Sequence, residues 1–379
     1  MKVLNIMTSA LKYNGIGMSL LNYYKNIDSS KIQLDFLVPN KVEEKLKNEI
    51  TKKGNNKLFE LVSKNNNKMR QRQPLKYCIE LYKILKEEKY DAVHIHGSSS
   101  MLILETYTAR IAKCKTIIVH SRNTKSDYPM LDKLLRPFFK KSYTDAFACG
   151  KEAGEFLFSK NTEFTVIPNG KNSEEFEYNA KAREEYRKKY NINDKKVIGH
   201  VGNFTYQKNH EYLIDIFEQL TKLNPNYYLV LIGTGKIENE TEIRNKVELL
   251  GLKEKVLFLG AIDQKEVSNW LQAMDIMVFT SRFEGFPNVL VEWQMAGLPC
   301  VISDKITKDV QLTQLVQFAS IEEEPKKWVE IIENIKIEDR EQSKKEILEQ
   351  IKEKGFDIKE NAKELEKLYY KLVEKNMKR

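Results

Sequence analysis

Cysteine is scarce in this chain: the four present in its 379 residues, Cys78, Cys114, Cys149 and Cys300, stand far apart, with no CxxC pair and no zinc-ligand spacing. No disulfide framework can be read from them, and a reducing, cytoplasmic setting is the simplest expectation. Long apolar runs are missing too, since nothing approaches the roughly 18 residues of a membrane-spanning helix. The opening Met1-Lys-Val-Leu-Asn-Ile-Met7 turns polar at Thr8 and Ser9, too early for a signal peptide, and reads as a first strand. There is no internal repeat. There is no GxGxxG followed by a suitably placed acidic residue, which argues against a nicotinamide-dependent dehydrogenase.

What is present fits two α/β domains, because the length exceeds what one ordinary core organises. Hydrophobic residues at 41% and charged residues at 31% describe a packed, well-solvated globular protein. The formal charge of +9 favours anionic partners in general, yet many Lys alternate with Glu on helical stretches, so a solvated surface explains it equally.

Short apolar runs alternate with amphipathic stretches, the pattern of a parallel sheet covered by helices. Strands are expected at Lys2 to Met7, Ile32 to Val38, Ala92 to His96, Thr116 to His120, Ala146 to Ala148 and Thr165 to Ile167. The turn cluster Ile167-Pro168-Asn169-Gly170 and the charge-rich run after it read as an interdomain linker. A second strand-helix series starts at Lys196 and continues through Tyr228 to Ile232, Val256 to Leu259, Ile276 to Thr280 and Cys300 to Ile302. Domains are therefore expected at 1–170 and 195–355, joined by a linker at 171–194. A closing amphipathic helix is expected at 356–379, with Leu365, Leu368, Tyr369 and Leu372 on its apolar face. Asn65 to Asn67 mark a surface loop.

The most informative segment runs Phe279-Thr-Ser-Arg-Phe-Glu284-Gly-Phe-Pro-Asn-Val-Leu-Val-Glu292. A strand ends in a loop, and Pro287 is expected to open a helix. Free amides at a helix start hold an anion, so a diphosphate could rest over Gly285, Phe286, Pro287, Asn288 and Val289 without a cationic side chain. Glu292 could accept hydrogen bonds from ribose hydroxyls. By spacing alone, an ordinary strand-turn-helix with Glu284 on the surface is also compatible.

Two Glu separated by seven residues, with Gly-Phe-Pro-Asn between them, resemble the donor-site motif of family 4 retaining glycosyltransferases. The resemblance implies a GT-B fold: two Rossmann-like domains with parallel sheets facing a central cleft, and a C-terminal helix crossing back to the N-domain. It implies Glu292 for the ribose, the amides from Gly285 to Val289 for the diphosphate, and Glu284 beside the transferred sugar.

Four further segments follow the family's order. Asn14-Gly15-Ile16-Gly17 follows the first strand, where Gly15 and Gly17 would allow close approach to phosphate; alone it is a tight turn. His200-Val-Gly-Asn203-Phe-Thr-Tyr-Gln-Lys208 resembles the strand-loop in which an Arg and a Lys grip the diphosphate. Lys208 fits that role, while Asn203 stands where Arg is usual. His120, in Thr116-Ile-Ile-Val-His120-Ser-Arg122, resembles the histidine that points at the transferred sugar. Val230-Leu-Ile-Gly233-Thr-Gly235 and Phe258-Leu-Gly260-Ala-Ile262 resemble strand ends that hold the base, placing Gly233 and Ile262 at the donor. His94 and His96 share one face of a strand, but no further ligand at a familiar spacing follows, so no metal site is expected.

The resemblance thus implies a hexosyltransferase-type enzyme, metal-independent and retaining, with Glu284, His120 and Lys208 as catalytic candidates. The expected donor is a nucleotide-sugar, a UDP-sugar first, and no cofactor is expected. The expected acceptor is a glycan or a lipid-linked precursor of a cell-surface polysaccharide. No Asp-x-Asp motif of the other common transferase fold occurs. Lys133-Leu-Leu-Arg136-Pro-Phe-Phe-Lys140-Lys141 could rest on an anionic membrane, or be a solvated helix end with a buried Phe pair. Nucleic acid is not expected as a partner. The readings left open are a nucleotide-sugar 2-epimerase and a basic, non-catalytic binding protein on the same fold.

Overall fold

Strands apolar on both faces can be buried only between two helical layers, and that requirement fits parallel pairing. The computed structural model describes residues 1–12, 15–53, 55–63, 69–124, 126 and 129–378; Asn14 and the Asn65 to Asn67 loop lie outside them. Among the described residues, every ladder between named strands is parallel. The chain divides into one unit of Met1–Gly170 with Ile358–Arg379, and a second of Lys171–Asp357.

The first unit holds β1 (Lys2–Met7), β2 (Gln33–Val38), β3 (Leu58–Glu60), β4 (Ala92–Gly97), β5 (Thr116–Ser121), β6 (Asp145–Ala148) and β7 (Thr165–Val166), in the spatial order β3-β2-β1-β4-β5-β6-β7. The second holds β8 (Lys196–Val201), β9 (Tyr227–Ile232), β10 (Val256–Gly260), β11 (Ile276–Phe279), β12 (Cys300–Ser303) and β13 (Val316–Ala319), in the order β10-β9-β8-β11-β12-β13. Both are Rossmann-like sheets. Strand order reverses between β1 and β4 in one and between β8 and β11 in the other. A crevice at such a switch point, outside the carboxyl ends of the strands, is where open α/β sheets take their ligands.

Residues 171–194, expected as a linker, are instead part of the second unit. They form helices Ser173–Phe176 and Ala180–Lys189, started by Asn172 and Asn179, whose side chains accept from the Glu174 and Ala182 amides. Phe176 and Tyr186 are buried in that unit's core, and Arg183 and Arg187 both pair with Asp275. The run looks linker-like because its charges include two arginines that turn inward to carbonyls and a carboxylate.

The closing helix, Ile358–Met377, belongs to the first unit. Ile358, Ala362, Leu365, Tyr369 and Leu372 recur at helical spacing and join the core that contains Val3, Phe36 and Ile118. An Ile or Leu side chain stabilises by roughly 1.5–3 kcal/mol when fully buried. Leu365→Ala should therefore lower the unfolding free energy of the first unit by about 2–4 kcal/mol. Urea titration checks this, and an unchanged midpoint would show that the helix does not hold that core together.

Candidate functional site

In the second unit, the site is built where β8 and β11 lie side by side. The loop after β11 carries Glu284, whose Oε1 lies 2.6 Å from Lys208 Nζ at the end of the loop after β8. Lys208 also stands 4.3 Å over the Phe279 ring, so its ammonium is held by a carboxylate and an aromatic face together. Thr280 Oγ1 donates to the carbonyls of Lys208 and Asn209, locking the two loops.

Beyond Glu284 the chain winds into the helix Val289–Met295. Pro287 lies two residues ahead of that helix rather than opening it. Leu290 donates to the Pro287 carbonyl and Val291 to that of Asn288, three-residue bonds that tighten the entry before regular winding begins. The backbone N–H groups of Gly285, Phe286, Asn288 and Val289 have no hydrogen-bond partner among the described residues. Asn288 Oδ1 is likewise unpartnered and buried. Four unspent donors within five residues are chemically able to donate hydrogen bonds to an anion.

Glu292, in the first turn of the same helix, is buried and pairs with the ammonium of Lys171, itself buried. Lys171 was invisible to sequence reasoning, because 121 positions separate the partners and the run around it is uniformly polar.

Gly233 and Gly235 act through backbone approach. Gly233 has a φ of +138°, and a Cβ there would meet the Gly202 carbonyl oxygen at 2.2 Å; at Gly235 one would meet the Phe204 oxygen at 2.4 Å. They let the loop carrying Asn203 lie against the end of β9. Asn203 is exposed and Ile262 half-buried at the end of β10. Arg282 does not fill the place of the missing Arg: its guanidinium donates to the Tyr206 carbonyl and lies over the Tyr206 ring.

In the first unit, His94, His96 and His120 meet on one sheet face. His96 and His120 sit in register on β4 and β5. The closing helix covers them, with Tyr369 Oη 2.6 Å from His94 Nδ1. Burial, reinforced by the neighbouring Arg122 guanidinium, holds all three imidazoles well below their usual pKa, hence neutral. Their nearest nitrogens lie within 4.8 Å of one another, so the sequence argument against metal was incomplete: the third ligand comes from a neighbouring strand. Arg122 nevertheless aims two donors at His96 Nδ1, and His94 has a hydrogen-bond partner on each ring nitrogen. The cluster is a hydrogen-bonded network beside a fixed cation, a poor place for a second cation.

Gly15 and Gly17 begin the helix Gly15–Asn26 after β1. Ser19, one turn on, accepts from Arg122 and donates to Asn169, tying that helix start to the same network. Beside it lies a cavity of about 550 Å³ lined by Thr8, Ser9, His96, Ser98, Arg122 and Leu131, among others. On helix Pro129–Phe139, Phe139 is buried but Phe138 is 58% exposed, so the expected buried Phe pair is split. Met130, Leu131 and Leu134 are exposed with it, beside the exposed Lys133, Lys140 and Lys141. Among the described residues, no helix is long and apolar enough to cross a membrane.

The family described as "Glycosyl transferases group 1" matches residues 182–356. The "Putative glycosyltransferase EpsF" of Bacillus subtilis (strain 168) is 31% identical over 392 residues, covering 100% of this chain and 98% of that protein. The Escherichia coli "UDP-Gal:alpha-D-GlcNAc-diphosphoundecaprenol alpha-1,3-galactosyltransferase" is 32% identical over 246 residues, 61% of this chain and 62% of its own. The crystal structure of Anabaena HepE in complex with UDP-glucose superposes with a TM-score of 0.68 at 16% identity, covering 100% of this chain and 98% of that one.

All five histidines are buried, and burial also lowers His200 to about 4 and His210 to about 2. An unfolded histidine takes up its proton near pH 6.5, whereas these stay neutral in the fold, so the unfolded state binds more protons and stability falls as pH drops. Each such histidine contributes a loss of up to about 1.4 kcal/mol per pH unit below that point. Urea midpoints should decline steeply from pH 7 to pH 5, and a flat profile would mean that the rings are solvated.

Proposed function

This chain belongs to the group 1 glycosyltransferases and has the GT-B fold, and from that premise we propose that it moves a sugar from a nucleotide-sugar to a glycan or lipid-linked acceptor, with retention of anomeric configuration. One observation carries the donor half of the reading. The unspent amides of Gly285, Phe286, Asn288 and Val289 lie at the switch point of the second sheet, with Glu284 before them and Glu292 after.

In this reading the donor diphosphate rests on those amides, and Lys208 meets the charge that builds on the departing nucleotide. Its charge is thereby offset by protein groups rather than by a metal ion. Glu292 accepts from the ribose hydroxyls, oriented by its pair with Lys171. Glu284 sits beside the transferred sugar, and Gly233 and Ile262 border the base. Asn203, with no cationic group, leaves Lys208 as the principal charged contact. Within the first unit, His120 is the candidate sugar contact, and the polar cavity lined by His96 and Arg122 is the candidate acceptor site. A UDP-sugar is favoured because the galactosyltransferase relative is named for UDP-Gal and HepE was solved with UDP-glucose. The diphosphoundecaprenol in that relative's name favours a lipid-linked acceptor in cell-surface polysaccharide synthesis.

An acceptor of that kind lies in a membrane. The exposed Met130, Leu134 and Phe138 with Lys133, Lys140 and Lys141 suit peripheral contact with anionic lipid. Binding to phosphatidylglycerol vesicles should weaken on replacing the three lysines by glutamate, each being worth about 1 kcal/mol near such a surface. Equal sedimentation of variant and wild type would remove this contact.

A thermal-shift screen of nucleotide sugars tests the donor. A UDP-sugar at about 100 times its Kd should stabilise wild type by about 2.7 kcal/mol and Glu292→Gln by clearly less. Failure of every nucleotide sugar to raise the wild-type Tm at saturation would defeat the donor reading, and a product of inverted anomeric configuration would defeat retention.

A further inference from the structure

The rings at the ends of β4 and β5 form two hydrogen-bonded chains whose directions follow from which groups can only donate. Arginine has no acceptor. Arg122 Nε and Nη2 lie 3.2 Å and 3.1 Å from His96 Nδ1, so that nitrogen carries a lone pair. The His96 proton is then on Nε2, which donates to Asn5 Oδ1 at 3.1 Å.

The second chain runs from Tyr369 Oη to His94 Nδ1 at 2.6 Å, then from His94 Nε2 to His120 Nδ1 at 3.1 Å. His120 Nε2 is buried and unpartnered. Two directions are open to this chain. If His94 donated to Tyr369, the tyrosine O–H would have no acceptor among the described residues, and His120 Nε2 would hold a second unsatisfied group, a bare lone pair. If Tyr369 donates, His94 Nε2–H donates to His120 Nδ1 and a single group, the His120 Nε2–H, remains unspent. Buried polar groups left without partners are costly, so the second direction prevails.

We propose that Tyr369 and His94 are positioning residues that fix the tautomer of His120, so that its Nε2 presents a hydrogen to an oxygen of the bound substrate. This rests on the reading above in taking His120 as a sugar contact. Neutrality of the three rings is consistent with it, since burial first and Arg122 after it oppose an imidazolium. The consequence is chemical: a nitrogen that already carries its proton has no lone pair to offer, so His120 positions a hydroxyl or ring oxygen and does not act as a base. The tyrosine that sets this lies on the closing helix, 275 residues from His94.

The chain has only five histidines, so ¹⁵N-histidine labelling resolves them, and His120→Gln assigns the ring in question. At pH 7.5 the wild-type His120 Nε2 should give the signal of a protonated, pyrrole-type nitrogen and Nδ1 that of a pyridine-type one. Tyr369→Phe keeps the ring packing but removes the donor, so the His120 pair should shift towards mixed tautomers, while His200 and His210 in the second unit stay unmoved. The same variant should lose about tenfold in kcat/KM for transfer, the worth of one buried hydrogen bond, with affinity for the nucleoside diphosphate alone unchanged. A pyridine-type Nε2 in wild type overturns the proposal, as does a Tyr369→Phe spectrum identical to wild type. Should Tyr369→Phe not fold, the wild-type spectrum alone decides the direction. If the tautomer is as stated yet no sugar nucleotide binds, the assigned function fails and the relay stands.

Discussion

A strand can run parallel to its neighbour only if the chain crosses back over the sheet between them, and nearly everything chemical in this protein follows from that constraint. Each crossover returns the chain to the same starting edge, so all strand ends gather on the opposite edge. Loops there begin helices, and their amides are the groups that regular structure leaves unspent. Lys208, Glu284, the Gly285 to Val289 amides and Glu292 all lie after β8 or β11; His96, His120 and Arg122 lie at the ends of β4 and β5. Neither set needed a specialised scaffold. Each needed a reversal of strand order that opens a gap in the helical cover.

Charge within these places is arranged in pairs and chains rather than left loose. Glu292 lies against Lys171, and Glu284 against Lys208, with the partners in each pair drawn from segments distant in sequence. Such pairs do little for stability, because desolvation offsets the attraction. What they supply is direction: a carboxylate fixed by one ammonium presents its remaining oxygen along a defined line. The histidine network does the same with neutral rings in two chains, one begun by the donor-only Arg122 and the other by Tyr369.

The sequence was most legible where local pattern and chemistry coincide. Alternation of apolar runs with amphipathic stretches marked the sheets, and the same pattern marked the strand ending at Phe279 and the helix that carries Glu292. It was least legible where a residue's role depends on a distant neighbour. Nothing near Lys171 points to Glu292, and the closing helix displays an apolar face without naming its target. Residues 171–194 misled for a related reason: Arg183 and Arg187 read as solvent-facing charge, and only Asp275 reveals that they turn inward. His94 and His96 looked like a pair because strand periodicity sees one strand at a time, and His120 joins them only through the register of β4 with β5. Sugar identity stays outside any such reading, since it rests on a few hydroxyl contacts from loops.

The division of the chain also bears on its biosynthesis. The second unit is continuous from 171 to 357, whereas the first unit's core incorporates side chains from the helix Ile358–Met377. Translation proceeds from the amino end, so residues 1–170 emerge before the helix that joins their core. Until then Val3, Phe36 and their neighbours have an uncovered side, while the middle of the chain already has all it needs. The earlier-made unit is therefore completed after the later-made one, and through that interval nascent-chain binding factors have an apolar sheet face to shelter.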